Sequence, residues 1–302
     1  GGVRLPIHVK EKKLMVARFG LRYDETYNSK ARATLSRESL FGIGNQFSFV
    51  AEASTRNRLL IAESRSSRIY KSFYTYSIKA YRNYRLRYLY SSHTSSEDYG
   101  DDRYGALISI GQHMDKLGSV MLQFKTESIW ITTGPKEKLE STKKELRSII
   151  LRSLIDSYDR YPFPQNGLTN LMYIETTMEA FGGTDQYVKL FWSGSMYRTL
   201  AKKHTLSGSF ALGSADPSTP DIEMFTLGGS PLRLNCYDWE STGSHFFADF
   251  PGLSCEERYG NRLATASVAY RLFIPRLFYL TFNYTAGNIW LKGETITAKS
   301  LL

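Results

Sequence analysis

The 302-residue sequence contains only two cysteines and nine prolines. So few cysteines exclude a disulfide-dense scaffold and a multi-cysteine zinc or iron–sulfur site. No run of 18 apolar residues occurs, so no segment can cross a membrane as a helix. The chain has no Gly-x-Ser-x-Gly elbow, no His-Glu-x-x-His and no P-loop, and FGIGNQ lacks the third glycine of a dinucleotide loop. His8, His93, His113 and His204 are scattered, and the His245 tripeptide GSH, with Asp249 nearby, carries none of the context of a triad. The sequence therefore predicts no catalytic residue, no metal site and no cofactor. It opens Gly-Gly-Val with no initiator Met and no leader-like segment, so it reads as a processed or excised piece. Without a Gly/Ser- or Pro-rich linker, a composition shift or a solenoid repeat, it reads as one domain.

What is present is aromatic and basic: 17 Phe, 21 Tyr and 4 Trp, with 39 Lys and Arg against 29 Asp and Glu, a net charge of +10. The basic residues are spread along the chain and do not cluster with stacking aromatics, so nucleic acid is not an expected partner. Anionic lipid headgroups account for them equally well. The dominant pattern has period two. Met15, Ala17, Phe19, Leu21 and Tyr23 alternate with Val16, Arg18, Gly20, Arg22 and Asp24. The same alternation fills 172–180, 188–196, 264–272 and 278–285, and in weaker form 30–38, 45–53, 58–66, 105–113, 118–127, 145–156 and 205–214. Side chains alternate faces along a strand, so each segment reads as a strand with one apolar and one polar side. Residues 73–91 alternate almost throughout, with Arg82 the exception on the apolar side, and read as one strand or as two joined near Asn83. The charged run 134–147 (GPKEKLESTKKELR) reads as a solvated loop or the start of a short helix.

Strand length and charge choose the architecture. The segments run roughly 9–13 residues, close to the 9–11 of a tilted membrane-spanning strand and longer than ordinary strands. Their polar faces carry Arg18, Arg22, Arg32, Lys79, Arg85, Arg87, Lys125, Glu175, Glu179, Lys189 and Arg271. A sandwich core could not hold such charges unpaired. A soluble sheet could turn them to water, but would then need two large sheets to bury the other faces. A closed barrel with lipid outside and a wet, ionic lumen satisfies both faces. Tyr23, Tyr74, Tyr76, Tyr88, Tyr90, Trp130, Tyr197, Tyr279 and Trp290 stand near segment ends and suit an interfacial girdle. The expected fold is all-β, an antiparallel transmembrane β-barrel.

Four motifs add a resemblance. RESLFGIGN (37–45) resembles the turn after the second strand of the BamA/TamA/two-partner-secretion superfamily of surface-antigen barrels. DSYDRYPFPQNG (156–167) is similar to its strand-exit signature, with Asp159, Arg160, Phe163, Pro164 and Gly167 matching. MFTLGG (224–229), with Leu227, Gly228 and Gly229, resembles the opening of its long sixth loop, and TFNYTAGNIW (281–290) a later strand. The resemblance implies a 16-stranded barrel with a long lumen loop and eleven strands before it, so one segment between 58 and 91 is divided once too often. About 13 strands are then present, and the barrel is expected to be incomplete at the C-terminus. Residues 1–12 would end a periplasmic linker and 13–302 form the outer-membrane barrel. LPIHVKEKKLMVARFGLRYDE and FPGLSCEERYGN (250–261) look most like the patatin-like type V secretion subgroup. That likeness implies an upstream patatin-like phospholipase as passenger in the same chain, and a homodimer.

The loop, 215–261, departs from the superfamily pattern, in which an Arg followed by Gly enters the lumen and pairs with an acid on a strand. Arg233 lies at nearly the right spacing without the Gly, Gly252 lacks the Arg, and Thr285 stands where the acid is expected. Arg233 is still the expected lumen residue, with Gly260 and Asn261 closing the loop motif. Cys236 and Cys255 both fall in this loop. In an oxidising compartment a disulfide between them would close about 20 residues and constrain the unfolded chain by roughly 3 kcal/mol. The function expected is anchoring, and export, of an N-terminal passenger from the bacterial outer membrane, with membrane lipid and lipopolysaccharide as partners. The alternatives are an insertase or translocation barrel of BamA or TamA type, and a soluble β-rich binding protein.

Overall fold

A computed structural model describes residues 15–24, 28–40, 44–66, 68–69, 72–91, 94–114, 118–133, 140–201, 203–229, 246–274 and 278–294. Eleven antiparallel strands follow one another: β1 (Met15–Asp24), β2 (Asn28–Leu40), β3 (Asn45–Ser54), β4 (Asn57–Ser66), β5 (Tyr74–Ser91), β6 (Thr94–His113), β7 (Ser119–Thr133), β8 (Glu140–Asp156), β9 (Gly167–Thr177), β10 (Tyr187–Leu200) and β11 (His204–Ala215). The long loop then carries three short strands, β12 (Phe225–Leu227), β13 (Phe247–Ala248) and β14 (Arg258–Gly260). Two more wall strands, β15 (Arg262–Ile274) and β16 (Phe278–Trp290), complete a 13-stranded sheet in which every strand pairs with its neighbour in sequence apart from the jump from β11 to β15. The sheet curves round a lumen, with β1 and β16 as its edges.

Two faces of opposite chemistry explain the shape. Register places Phe19, Ala33, Ala51 and Leu60 in one outward row, and Arg32 beside Glu52 and Glu63 beside Lys79 in inward rows. Burial is inverted relative to a water-soluble sheet. Leu21 is 89% exposed and Tyr284 74%, whereas Arg103 and Lys189 are 0% exposed. Each large apolar side chain left in water forgoes about 1.5–3 kcal/mol. An apolar belt that runs round the sheet therefore requires lipid as its solvent. The soluble alternative fails here, because its charges would have to face outward.

The predicted segments map onto strands with some differences. Residues 74–91 form a single strand in which Asn83 is buried at mid-length, so there is no turn there and, among the described residues, eleven strands precede the loop. From Glu140 the charged run 134–147 is neither loop nor helix but the first half of β8, paired residue for residue with β7; residues 134–139 lie outside the described residues. Its charge misled because Lys143, Glu145 and Arg147 point outward and pair with one another, Lys143 to Glu145 at 2.6 Å and Arg147 to Glu145 at 2.8 Å. β6 begins at Thr94, eleven residues before the alternation is legible, and β9 spans 167–177, leaving Glu179 in a 3-10 turn. Trp290 is buried and Tyr197 packs edge-on against Tyr158, so neither belongs to the outward girdle, whereas Tyr23, Tyr74 and Trp130 are exposed.

Candidate functional site

The described parts of the long loop, 216–229 and 246–261, fold back into the lumen as a plug. They have the apolar residues to do so: β12 pairs with β13 in parallel and with β14 in antiparallel, and Phe225, Leu227, Phe246, Ala248 and Phe250 point at the wall. They pack on Leu107, Ile150, Leu171, Tyr173, Phe191 and Leu263 of the wall. Phe246 lies 4.3 Å from the Tyr173 ring and 4.4 Å from Phe191, centre to centre. The wall makes room at Gly213, where a Cβ would stand 2.9 Å from the Phe225 ring. Gly228 has φ +139, and a Cβ there would collide with the Ser254 carbonyl oxygen, so only glycine fits.

Beside this apolar contact lies a buried ion network. The turn Asp221–Glu223 drives Glu223 between two wall cations. The Arg103 guanidinium donates to Glu223 Oε1 at 2.5 Å and to the Ile222 carbonyl at 3.3 Å. Lys189 Nζ donates to the Glu223 carbonyl at 3.1 Å and to Oε2 at 3.4 Å. The wall continues the network: Lys125 to Glu175 at 2.7 Å, Lys189 to Glu175 at 3.6 Å and Arg103 to Glu127 at 3.4 Å. Tyr81 donates to Glu127 and Tyr173 to Glu175, filling remaining lone pairs. One layer nearer the loop rim, Asp101 takes Arg85 at 3.1 Å, Arg87 at 3.2 Å and Arg103 at 3.3 Å. Glu256 of the loop reaches the same arginines, 3.6 Å from Arg85 and 3.9 Å from Arg87. Its backbone holds φ +55, a left-handed conformation unusual for a non-glycine residue.

Among the described residues, cations and carboxylates of this network are equal in number only with the plug in place. The wall supplies five cations (Arg85, Arg87, Arg103, Lys125, Lys189) and three carboxylates (Asp101, Glu127, Glu175). The loop supplies the other two, Glu223 and Glu256. Burial alone would raise the Glu223 carboxyl, but Arg103 and Lys189 outweigh it and lower it to about 2. At this level the lumen is not the wet interior that alternation predicts: Arg103, Lys125, Glu127, Glu175, Lys189 and Glu223 all have fully buried side chains.

The predicted motif residues gather at the two rims. Leu227 is buried in β12, Gly229 bridges to Phe250, and Gly252 occupies an open turn with φ +104. Gly260 lies against the Trp290 carbonyl, where a Cβ would not fit, and Asn261 Nδ2 donates to the Asp216 carbonyl at 3.1 Å, closing the neck of the loop. Arg233 and Cys236 lie outside the described residues, while Cys255 is half-buried in the loop. Thr285 donates to Ser267 at 3.1 Å on the wall and takes no part in the network. At the opposite rim, the carboxylate of Asp159 accepts the backbone N–H groups of Gln165 (2.8 Å) and Asn166 (3.1 Å), which lowers its pKa. Arg160 sits 3.5 Å from Asp159, and Gly167 takes φ +112 where β9 begins. Phe163 stacks on Tyr279 at 4.5 Å and the Pro164 carbonyl accepts from Arg271 at 3.2 Å. This turn therefore reaches across β10 and β11 to the last two strands.

Sequence reasoning missed the ion network, Glu223 above all. A signal existed: Arg85/Arg87, Asp101/Arg103 and Lys125/Glu127 stand two apart on the inward faces of successive strands. Nothing in PSTPDIEMF marks Glu223 as the residue that completes it.

The model of the Omp85 superfamily domain matches residues 39–301. Among solved structures, BamA from Haemophilus ducreyi lacking POTRA domains 1–3 has a TM-score of 0.74 at 14% identity, over 93% of this chain and 59% of that one. CdiB from Escherichia coli has a TM-score of 0.59 at 13% identity, over 92% of this chain and 52% of that one. CdiB from Acinetobacter baumannii has 0.57 at 11%, over 93% and 50%. The chain thus spans little more than half of these solved chains, and at such identities the likeness is one of fold. No curated protein matches it in sequence.

Proposed function

The chain belongs to the Omp85 superfamily, and from that premise we propose that this outer-membrane barrel anchors and exports a passenger carried in the same polypeptide, with its pore shut at rest by the plug. The observation that carries the reading is the charge-matched seat of Glu223 and Glu256, since a loop held by buried ions closes a passage and can leave it as a unit. The apolar belt supplies the anchor, and outer-membrane lipid and lipopolysaccharide are its partners. The rim bearing the long loop faces the cell exterior. The segment 250–261, which carries the patatin-like resemblance, contributes Phe250, Glu256 and β14 to the plug, and the passenger it suggests is a patatin-like phospholipase.

The test is surface labelling of the full-length protein in intact cells, with an epitope on the passenger and another in the long loop. The reading expects membrane-fraction protein with both epitopes labelled. A barrel that inserts, shows its loop epitope and keeps the passenger inside contradicts export. If depletion of such a barrel also lowers insertion of other barrels, the insertase reading takes its place.

A further inference from the structure

At the loop rim, beyond the Asp101 layer, the plug and the wall leave a cavity of about 500 Å³ between them. The wall side is the end of β5, the start of β6, the end of β7 and the start of β8; the plug side is 220–222, β12 and 256–259. Three tyrosines line it, Tyr90 and Tyr99 from the wall and Tyr259 from the plug. Tyr99 and Ile131 pack against a buried cluster that includes Ile222 of the plug, so wall and plug share this lining. Both cations of the cavity are already committed. Arg87 lies 3.2 Å from Asp101 and 3.9 Å from Glu256, and Lys144 lies 2.7 Å from Asp185. Glu257 accepts the Ser254 N–H at 2.6 Å. Three lining groups are uncommitted among the described residues. The hydroxyl of Thr226 and Nη2 of Arg87 are buried without a hydrogen-bond partner, and the exposed Asp221 carboxylate has no ion pair. Buried polar groups left unpaired cost free energy, which a ligand rich in hydroxyls recovers.

We propose that this cavity binds a neutral pyranose, the end sugar of a glycan at the cell surface. The inference goes beyond the export reading and takes from it only the outward orientation of this rim. The chemistry of the lining selects the ligand class. A pyranose has C–H faces that lie flat on tyrosine rings and a rim of hydroxyls that both donate and accept. The Asp221 carboxylate is an acceptor for it, Arg87 a donor, and Thr226 either. An anion would find Arg87 and Lys144 already paired with carboxylates. A cation would find one uncommitted carboxylate, in a cavity that Arg87 and Lys144 also line. Aromatic walls with a few placed polar groups, in a space of roughly 300–1,000 Å³, are the usual make-up of a small-molecule site.

The experiment is saturation-transfer NMR of the full chain in lauryldimethylamine oxide micelles, a detergent without a sugar head that could compete. The probes are the methyl glycosides of glucose, galactose and mannose, with methyl glucuronide and methyl glucosaminide as anionic and cationic counterparts. At least one neutral glycoside is expected to receive saturation at its ring protons. Its affinity should change less than about twofold as salt rises from about 50 to about 500 mM, since no charge enters the site. Tyr259→Ala removes a ring and Asp221→Ala the free carboxylate, and each should weaken binding about tenfold. Both side chains are exposed, so the unfolding midpoint should not move. Absence of saturation in every neutral glycoside, binding confined to a charged counterpart, or an affinity unchanged in both variants overturns the proposal. Dephosphorylated core oligosaccharide from lipopolysaccharide then assigns the source. Competition with the bound glycoside points to the cell's own surface, and binding of the glycoside without such competition points to a glycan from outside; both keep the pyranose. Binding in micelles needs neither orientation nor transport, so a passenger that stays inside retires export and leaves this result standing.

Discussion

The two halves of the lumen handle charge in opposite ways. Toward the loop rim, five cations meet five carboxylates among the described residues, with their side chains almost wholly out of water, and two of those carboxylates arrive with the plug. Toward the other rim, Arg32, Arg65, Lys79, Arg152 and Glu63 line an open cavity. The same alternating strands build both, so strand pattern does not set the difference; the loop does. Where it covers the wall, every charge needs a partner, because a buried ion left alone costs several kcal/mol. Where it does not, water screens the charges and pairing matters less.

The largest effect should follow from breaking the covered half. Glu223→Ala leaves Arg103 and Lys189 facing each other without their shared carboxylate. A loss of about 3–5 kcal/mol is expected in urea unfolding in detergent. An equal loss from Lys79→Ala in the open half would erase the contrast. Gly213→Val comes next. It pushes on the Phe225 ring without touching a charge, and should cost about 1–3 kcal/mol and raise protease cleavage within the long loop. A native cleavage pattern would mean that the plug is not seated there.

Acid should act on the covered half through Glu223. Its folded pKa, about 2, lies below the ordinary 4.5, so its contribution is complete above about pH 4.5 and is lost as the pH falls toward 2. Loop protection should hold from neutral pH to about 5 and decline below, whereas Glu223→Gln should show little of that decline. The smallest effect belongs to the exposed strand-exit turn. Asp159→Ala removes the acceptor for Gln165 and Asn166 and should speed proteolysis at 157–166, with the plug unchanged. Loosening of the plug as well would show that the two rims are coupled.

Most of the wall was legible in the sequence because a membrane strand writes its two solvents into alternate residues. Phe278, Leu280, Phe282 and Tyr284 announce lipid whatever their neighbours are. Polar stretches hide strands: Ser95, Ser96, Asp98, Asp101 and Asp102 gave no hint that β6 starts at Thr94. The superfamily motifs located both rims, since glycines such as Gly228 and Gly260 are demanded by local backbone contacts. The network was not legible because it depends on curvature. Register alone sets Glu175 beside Lys189 and Arg85 beside Asp101. Only the bend of the wall brings Arg103 of β6 and Lys189 of β10 to the same carboxylate, and only the path of the loop puts Glu223 there.

The central claim is that Glu223 latches a plug which closes one half of the lumen and leaves the other open. Conductance of the full-length protein in planar bilayers tests it most directly. Wild-type protein should stay closed or nearly so, Glu223→Ala should open long-lived conducting states, and Lys79→Ala should behave as wild type. Equal conductance in wild type and Glu223→Ala would contradict the account.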